Sequence, residues 1–133
     1  GFVLILLLLI FYLKPKTMEI KISGKTFSAE VADNQLTRSR GLMYRAAASP
    51  MLFVFPFETR EGFWMKNVKF PLDIIWIDSE KKIIGMDRME TCFNKECKIY
   101  NPPSPIKYAL EVEVGFVEKN KIKVGDEIQI SNL

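Results

Sequence analysis

The chain has 133 residues, of which 48% are hydrophobic and 26% charged, with a formal net charge of +3. This composition is typical of one globular domain and excludes a disordered chain or a multi-span membrane protein. The absence of histidine excludes every mechanism or metal site that needs imidazole. Without Lys14 and Lys16, which adjoin the apolar N-terminus, 17 basic residues face 16 acidic ones. This nearly neutral body, with Lys and Glu interspersed, argues against nucleic acid as a partner.

Residues 1–16 are predicted to be a hydrophobic anchor or signal segment. Phe2–Leu13 contains no charge, and as a helix it would be about 18 Å long, short of the roughly 30 Å hydrocarbon layer. We therefore expect a truncation, with further apolar residues upstream of Gly1. The sequence KPKTMEIK lacks a small-residue cleavage site, which favours a retained anchor over a cleaved signal without deciding between them. We expect the domain to be extracytoplasmic, although Lys14 and Lys16 favour the cytoplasmic side if nothing basic precedes the run.

Residues 17–133 are predicted to form a single β-rich domain that begins with a hairpin. Apolar and polar residues alternate through Met18–Ile22 and again through Phe27–Val31. This period of two is typical of strands with one buried face. Gly24 between them supplies the turn.

A short helix and a third strand are predicted next. Asp33 is expected to cap the helix, which continues through Arg40 and ends at Gly41. Met51–Phe55 is a short apolar strand. We expect Pro56 to stop this strand because proline lacks the N–H that a ladder needs, and we expect a loop to follow it as far as residue 62.

The remaining sequence predicts further strands. Ile74–Ile77 is continuously apolar, so we expect a strand covered on both faces at the centre of the sheet, followed by a strand that begins at Ile83. Cys92–Pro105 should be irregular, since it holds three prolines. Tyr108–Val114 alternates apolar residues with glutamates, and Ile128–Ile130 forms the last strand. Short strands with one or two short helices predict a mostly β fold, a single sandwich or barrel-like domain.

Four segments of this chain carry a resemblance to a known family. They are Arg40-Gly41-Leu42-Met43-Tyr44-Arg45; Met51-Leu52-Phe53-Val54-Phe55; Phe63-Trp64-Met65-Lys66-Asn67 running through Pro71-Leu72-Asp73-Ile74 to Asp78; and Tyr108-Ala109-Leu110-Glu111-Val112 with Gly115. In order and spacing the chain resembles the family of "domain of unknown function 192", small proteins that often carry an export or membrane segment. The resemblance implies a β-rich fold and supplies no catalytic residues.

The two cysteines, Cys92 and Cys97, are predicted to form a disulfide. They lie five positions apart in the irregular stretch, and a disulfide is the simplest pairing if the domain lies outside the cytoplasm. Free or metal-bound thiols remain the alternative. Zinc is disfavoured because a structural site needs about four ligands and imidazole is missing.

A shared ligand pocket is the candidate site. Apolar walls with a few directed polar groups are typical of such pockets. The candidate ligand-binding residues are Arg45, Trp64, Lys66, Asn67, Asp73 and Glu111. Each also has a purely structural interpretation: Trp64 as core, Lys66 as a solvated side chain, Asn67 as a turn residue, and Asp73 paired with Arg45 or capping backbone.

Two functions follow from these observations as hypotheses. The first is a membrane-anchored, non-catalytic binding or accessory module of the cell envelope, with an unknown small-molecule, carbohydrate or peptide ligand and no cofactor or metal. The second is an enzyme that acts on an envelope carbohydrate or peptide, with Asp73 and Glu111 as acid and base. No catalytic residue is assigned, because no nucleophile motif or phosphate-binding glycine loop is present.

Overall fold

Seven strands form one curled sheet in a computed structural model that describes residues 1–12, 15–94 and 96–132. The strand order is β5-β4-β6-β3-β2-β1-β7. The strands are β1 (Thr17–Ile22), β2 (Lys25–Ala32), β3 (Met51–Thr59), β4 (Leu72–Ile77), β5 (Ile83–Met89), β6 (Ile106–Glu113) and β7 (Ile128–Asn132). The helices are α1 (Phe2–Tyr12), α2 (Gln35–Arg40) and α3 (Phe116–Lys119). The mostly β prediction is confirmed, as a half-barrel sheet rather than two stacked sheets.

Helix α1 is short. It has 11 residues, and the side chains of Phe2 through Leu7 are each more than half exposed. Across residues 1–12, 15–94 and 96–132, no helix has both the length and the apolar character needed to cross a membrane. Leu13 and Lys14, which belong to the predicted anchor, lie outside the described residues.

The predicted first hairpin is confirmed. Strands β1 and β2 pair antiparallel from Thr17 opposite Glu30 to Ile22 opposite Lys25. The two residues between them, Ser23 and Gly24, both have positive φ angles, of 49° and 78°. Two successive positive φ angles are the conformation that fits the twist of a two-residue hairpin.

The helix α2 begins one residue later than its sequence suggested. Asn34, not Asp33, is the cap: its side-chain oxygen accepts a hydrogen bond from the Thr37 N–H at 2.9 Å, and the Thr37 hydroxyl accepts one from the Asn34 N–H at 3.3 Å. Asp33 instead forms an ion pair with Lys16 at 3.0 Å. The predicted end is confirmed, since Gly41 follows the last turn with a positive φ of 49°.

Strand β3 continues past Pro56, so the predicted stop and part of the predicted loop are wrong. The strand reaches Thr59. Its antiparallel register with β6 shifts between Val54 and Thr59. A proline is tolerated at such an irregularity because the local ladder does not use its missing N–H.

Both faces of the sheet are covered. One face carries an inner cluster to which every strand contributes, including Ile20, Leu52, Ile75, Leu110 and Ile128. The other face carries an outer cluster that includes Leu42, Phe53, Met65, Ile74, Trp76 and Tyr100. All six residues of β4 are buried, which confirms the prediction that Ile74–Ile77 is covered on both faces. However, β4 is next to the edge strand β5, and the central strand is β3.

The two edge strands meet at one end of the curled sheet. Lys82, just before β5, forms an antiparallel bridge with Glu127, just before β7. The Ile83 N–H donates to the Asp126 carbonyl at 2.8 Å, and the Ile128 N–H donates to the Lys81 carbonyl at 2.9 Å. These bonds draw the sheet into its half-barrel shape.

Candidate functional site

Glu111 is a buried acid in the middle of the sheet. It lies on β6 between Met51 of β3 and Ile74 of β4, which are its partners in register. Both partners belong to the outer cluster, so Glu111 faces that side, and only 4% of it is exposed. In the sequence, Glu111 and Glu113 both alternate with apolar residues. Glu113 is exposed, whereas Glu111 is buried because the outer face of β6 is covered there.

Burial determines the charge of Glu111. Desolvation raises the pKa of this carboxyl from 4.5 to about 8, because a charge costs more to hold in an apolar interior than in water. Within the described residues, no side chain or backbone N–H donates a hydrogen bond to this carboxyl. At neutral pH Glu111 is therefore a protonated acid whose O–H is available to a partner.

That carboxyl forms part of the lining of a cavity of about 390 Å³ on the outer face. The end of α2, strand β3 and the segment 61–64 build the other walls. The aromatic lining residues are Phe53, Phe55, Phe63 and Trp64. Phe63 is their centre: its ring packs edge-on against Phe53, with centroids 4.9 Å apart, and against Trp76 behind the wall at 5.5 Å.

Three charged residues line the same cavity: Arg38, Arg40 and Glu61. Arg38 is half-buried, donates a hydrogen bond to the Val54 carbonyl at 3.0 Å and lies over the Phe55 ring at 5.4 Å. Arg40 and Glu61 are exposed. With Glu111 neutral, the residues that line the cavity include two arginines and one carboxylate, so the net charge of the lining is positive.

A close backbone approach fixes the aromatic wall. Phe63 and Tyr100 exchange backbone hydrogen bonds of 2.8 and 2.7 Å. At Gly62, an added Cβ would collide with Ile99 Cγ2 and lie 2.6 Å from Asn101 Oδ1. Glycine is therefore needed at this position because no side chain fits there, and not because the backbone has a positive φ.

Asp73 points to the other side of the sheet from Glu111. It lies opposite Val112, a residue of the inner cluster, and its Oδ2 accepts hydrogen bonds from the Gly115 and Val117 N–H groups at 3.0 and 3.1 Å. Asp73 thus caps the start of α3, a helix that the sequence did not indicate. The predicted acid–base pair of Asp73 with Glu111 is wrong, because successive strand residues alternate between faces.

The predicted shared pocket is also not assembled as one site. Arg45 forms a bidentate pair with Glu30 at 2.9 and 3.1 Å. Lys66 lies over the Trp64 ring at 5.2 Å. Asn67 has a positive φ of 61°, and its carbonyl accepts a hydrogen bond from the Tyr44 N–H at 2.9 Å. Of the six candidate residues, only Trp64 and Glu111 line the cavity.

The cysteine pair lies beside this wall. Cys92 and Cys97 form the predicted disulfide, and Cys92 pairs with Lys66 in a parallel bridge. Elsewhere in the described chain, no three acidic or cysteine side chains come together as ligands for a metal ion.

Sequence reasoning missed most of the cavity lining. Arg38, Phe63 and Glu61 gave no chemical signal, since a lone arginine or phenylalanine is usually surface or core. A usable signal was present in the four family-like segments. All of them contribute to this lining, through Arg40–Met43, Phe53 and Phe55, Phe63 and Trp64, and Glu111.

Two proteins from Pyrococcus species are similar to this chain in sequence. A UPF0127 protein from Pyrococcus abyssi is 32% identical over 119 residues, which cover 86% of this chain and 92% of that protein. Another UPF0127 protein, from Pyrococcus furiosus, is 32% identical over 113 residues, covering 80% and 90%.

Two crystal structures are also similar. One, from Novosphingobium aromaticivorans, is of a protein of unknown function; its TM-score is 0.74 at 24% identity, covering 85% of this chain and 83% of that one. The other, from Sinorhizobium meliloti, is described as a proposed transcription regulator; its TM-score is 0.74 at 28% identity, covering 88% and 94%.

The family model of DUF192, described as "Uncharacterized ACR", matches residues 18–130. That match spans β1 to β7 and contains every residue of the cavity lining. The chain belongs to the DUF192 family.

Proposed function

We propose that this protein is a non-catalytic binding module that holds a small ligand in the cavity beside Glu111. The observation that carries the proposal is a buried carboxyl group with no hydrogen-bond partner in the described part of the protein, on the wall of a cavity. All fully buried side-chain oxygen and nitrogen atoms of the described residues have hydrogen-bond partners. The Glu111 carboxyl has no such partner and is therefore accessible from the cavity, where a ligand can accept its proton in a hydrogen bond.

The size and composition of the cavity support this function. Its volume of about 390 Å³ falls within the roughly 300–1,000 Å³ of small-molecule sites. Aromatic walls with a few polar groups, one of them with a strongly raised pKa, are typical of binding sites. The family-like segments meet there although they are distant along the chain.

We further propose that α1 belongs to a membrane anchor that holds the module outside the cytoplasm. The support is the exposure of residues 2–7 of α1, which ranges from 54% at Leu6 to 86% at Phe2. Burying an apolar side chain of this kind is worth about 1.5–3 kcal/mol, so a lipid environment would stabilise this segment.

Ligand screening tests the binding function. We would follow Trp64 fluorescence and thermal stability while adding sugars, short peptides and organic acids. Trp64 lines the cavity and is 44% exposed, whereas Trp76 is fully buried, so a Trp64→Phe variant identifies the responding ring. A true ligand should act on the native protein and lose at least tenfold in affinity with Glu111→Leu. Glu113→Leu, on the same strand but exposed, is the control. Equal responses in both variants would reject this site.

Membrane fractionation of cells tests the anchor. The native chain should sediment with membranes and resist extraction by salt. A Leu6→Lys, Leu7→Lys double variant should move to the soluble fraction, whereas a Lys21→Gln, Lys25→Gln variant should not. A double variant that stays with the membranes would rule out α1 as the anchor.

An enzyme is the second candidate, favoured by one observation: Glu61 and Glu111 are two carboxyl groups in one cavity. Paired carboxyls carry out acid–base hydrolysis of glycosides. Such an enzyme should release product from an envelope oligosaccharide, and Glu61→Gln should abolish turnover without loss of binding. If Glu61→Gln and the native protein both bind a saccharide and neither releases product, the binding module stands alone.

A further inference from the structure

We propose that the ligand of this cavity is an amphipathic organic anion, a carboxylate with an apolar body, whose carboxylate lies between the guanidinium groups of α2 and the Glu111 O–H. The inference rests on the proposed binding function and names its ligand class. Three features of the lining carry it.

The first feature is the charge at the cavity. Arg38 and Arg40 both line it, and Glu61 is the opposing charge. The Val54 carbonyl takes one N–H of Arg38, which holds this guanidinium in place while its other N–H groups stay available. Guanidinium groups match the planar geometry of a carboxylate. The field therefore favours an anion over a cation.

The second feature is the protonation of Glu111. A neutral carboxylic acid donates a hydrogen bond and cannot balance a cation. Burial of Glu111 opposes its ionisation, and no described group donates a hydrogen bond that would stabilise the carboxylate. The partner that suits this O–H is an oxygen acceptor, and a carboxylate oxygen makes the stronger, charge-assisted bond.

The third feature is the apolar wall. Phe53, Phe55 and Phe63 present ring faces and edges rather than hydrogen-bonding groups. Hydroxyl groups of a neutral sugar that lie against these rings would leave water without gaining a hydrogen-bond partner. An aliphatic or aromatic body loses nothing by leaving water there.

Calorimetric titration with matched pairs of probes tests this ligand class. Each pair is an acid and its neutral amide: N-acetylphenylalanine, phenylacetate and octanoate against their amides. We expect at least one acid to bind tenfold or more tightly than its amide at pH 7. Arg40→Gln should reduce that preference at least fivefold. Arg88→Gln, which makes the same charge change near Asp73 on the other face, should leave it within twofold.

The pH dependence is a second readout that a merely structural role for Glu111 would not produce. Arg38, Arg40 and Glu61 are the other charged groups of the lining. Affinity for the acid should fall about tenfold from pH 7 to pH 9, as the O–H is lost and a second anion appears. Glu111→Gln keeps an N–H donor, so its affinity should not change over that range.

The outcomes separate the two proposals. If an amide binds as tightly as its acid, or if an amine or sugar binds where no acid does, the ligand class is wrong and the binding function stands. If acids, amides, amines and sugars all fail to bind the native protein, both are wrong.

Discussion

Asp73 and Glu111 are buried acids on the adjacent strands β4 and β6, but their carboxyl groups lie on opposite faces of the sheet. Two backbone N–H groups donate to Asp73, and within the described chain none donates to Glu111. The same functional group, a buried carboxyl, therefore has two different effects: Asp73 stabilises the junction with α3, whereas Glu111 costs stability whenever it is ionised.

We predict that Asp73→Ala destabilises the protein. Removing this acceptor leaves the Gly115 and Val117 N–H groups without a partner, and hydrogen bonds to a charged group are worth about 1.5–3 kcal/mol each. The free energy of unfolding in urea should fall by about 3 kcal/mol. Asp73→Asn keeps one acceptor oxygen, so it should lose roughly half as much. Glu118→Gln, at an exposed position of α3, is the control. No loss with Asp73→Ala would mean that water replaces the carboxylate at no cost.

We predict that Glu111→Gln stabilises the protein, and only at high pH. Because the folded state holds the Glu111 proton up to a pKa of about 8, this group's contribution to stability is complete below pH 4.5 and is lost as the pH rises to 8. The variant does not lose this contribution. Its free energy of unfolding should therefore exceed that of the native protein by near zero at pH 4.5 and by a few kcal/mol, as an order of magnitude, above pH 8. Urea unfolding at several pH values measures it.

The exposed Glu113 provides the matched control for that experiment. Glu113→Gln removes the same charge from the same strand, two residues away and in contact with water. Its effect should be within about 0.5 kcal/mol at every pH. A Glu111→Gln profile parallel to that of Glu113→Gln would show that Glu111 titrates normally.

These two acids also show why sequence could place the strands but not the site. Alternation within Tyr108–Glu113 correctly indicated a strand, but the pattern alone does not distinguish the buried Glu111 from the exposed Glu113. Alternating residues divide into buried and exposed ones only when one face of the sheet is covered. Here loops that are distant in sequence cover the outer face, and no local pattern shows that.

We predict that Gly62→Ala damages the cavity without unfolding the protein. The new Cβ would be 3.2 Å from the Tyr100 carbonyl and closer still to Ile99, so the segment that contains Phe63 must move away from Tyr100. Overpacking of this kind costs about 1–3 kcal/mol. Ligand affinity should fall at least fivefold, read from Trp64 fluorescence. Gly125→Ala, a change in an open turn, controls for destabilisation alone. Equal affinity in both variants would contradict this role.

We predict that the disulfide stabilises its own loop more than the fold. Joining Cys92 to Cys97 closes a short loop, which is worth about 2 kcal/mol in the chain-entropy model. The Cys92→Ser, Cys97→Ser variant should remain folded and lose about that amount. Hydrogen exchange should rise at residues 91–100 and at Lys66, the bridge partner of Cys92. On unreduced native protein, mass spectrometry should show two hydrogens fewer than the sequence mass; two freely alkylated thiols would disprove the bond.

Capping and proline rules located α2 and β3 but not their boundaries. Asp33 and Asn34 are both good caps, and only the position of Lys16, 17 residues earlier, draws Asp33 away. Pro56 is a valid stop for a regular ladder, and only the shifted register with β6 makes it harmless. Both errors come from partners that are distant along the chain.

The bridge between Lys82 and Glu127 has a consequence for self-association. Exposed sheet edges offer unpaired N–H and C=O groups to a second chain, which is a common route to aggregation. Here the first residue of each edge strand donates its N–H to a carbonyl just before the other edge strand. Fewer unpaired backbone groups are therefore left for the addition of a strand from a second chain.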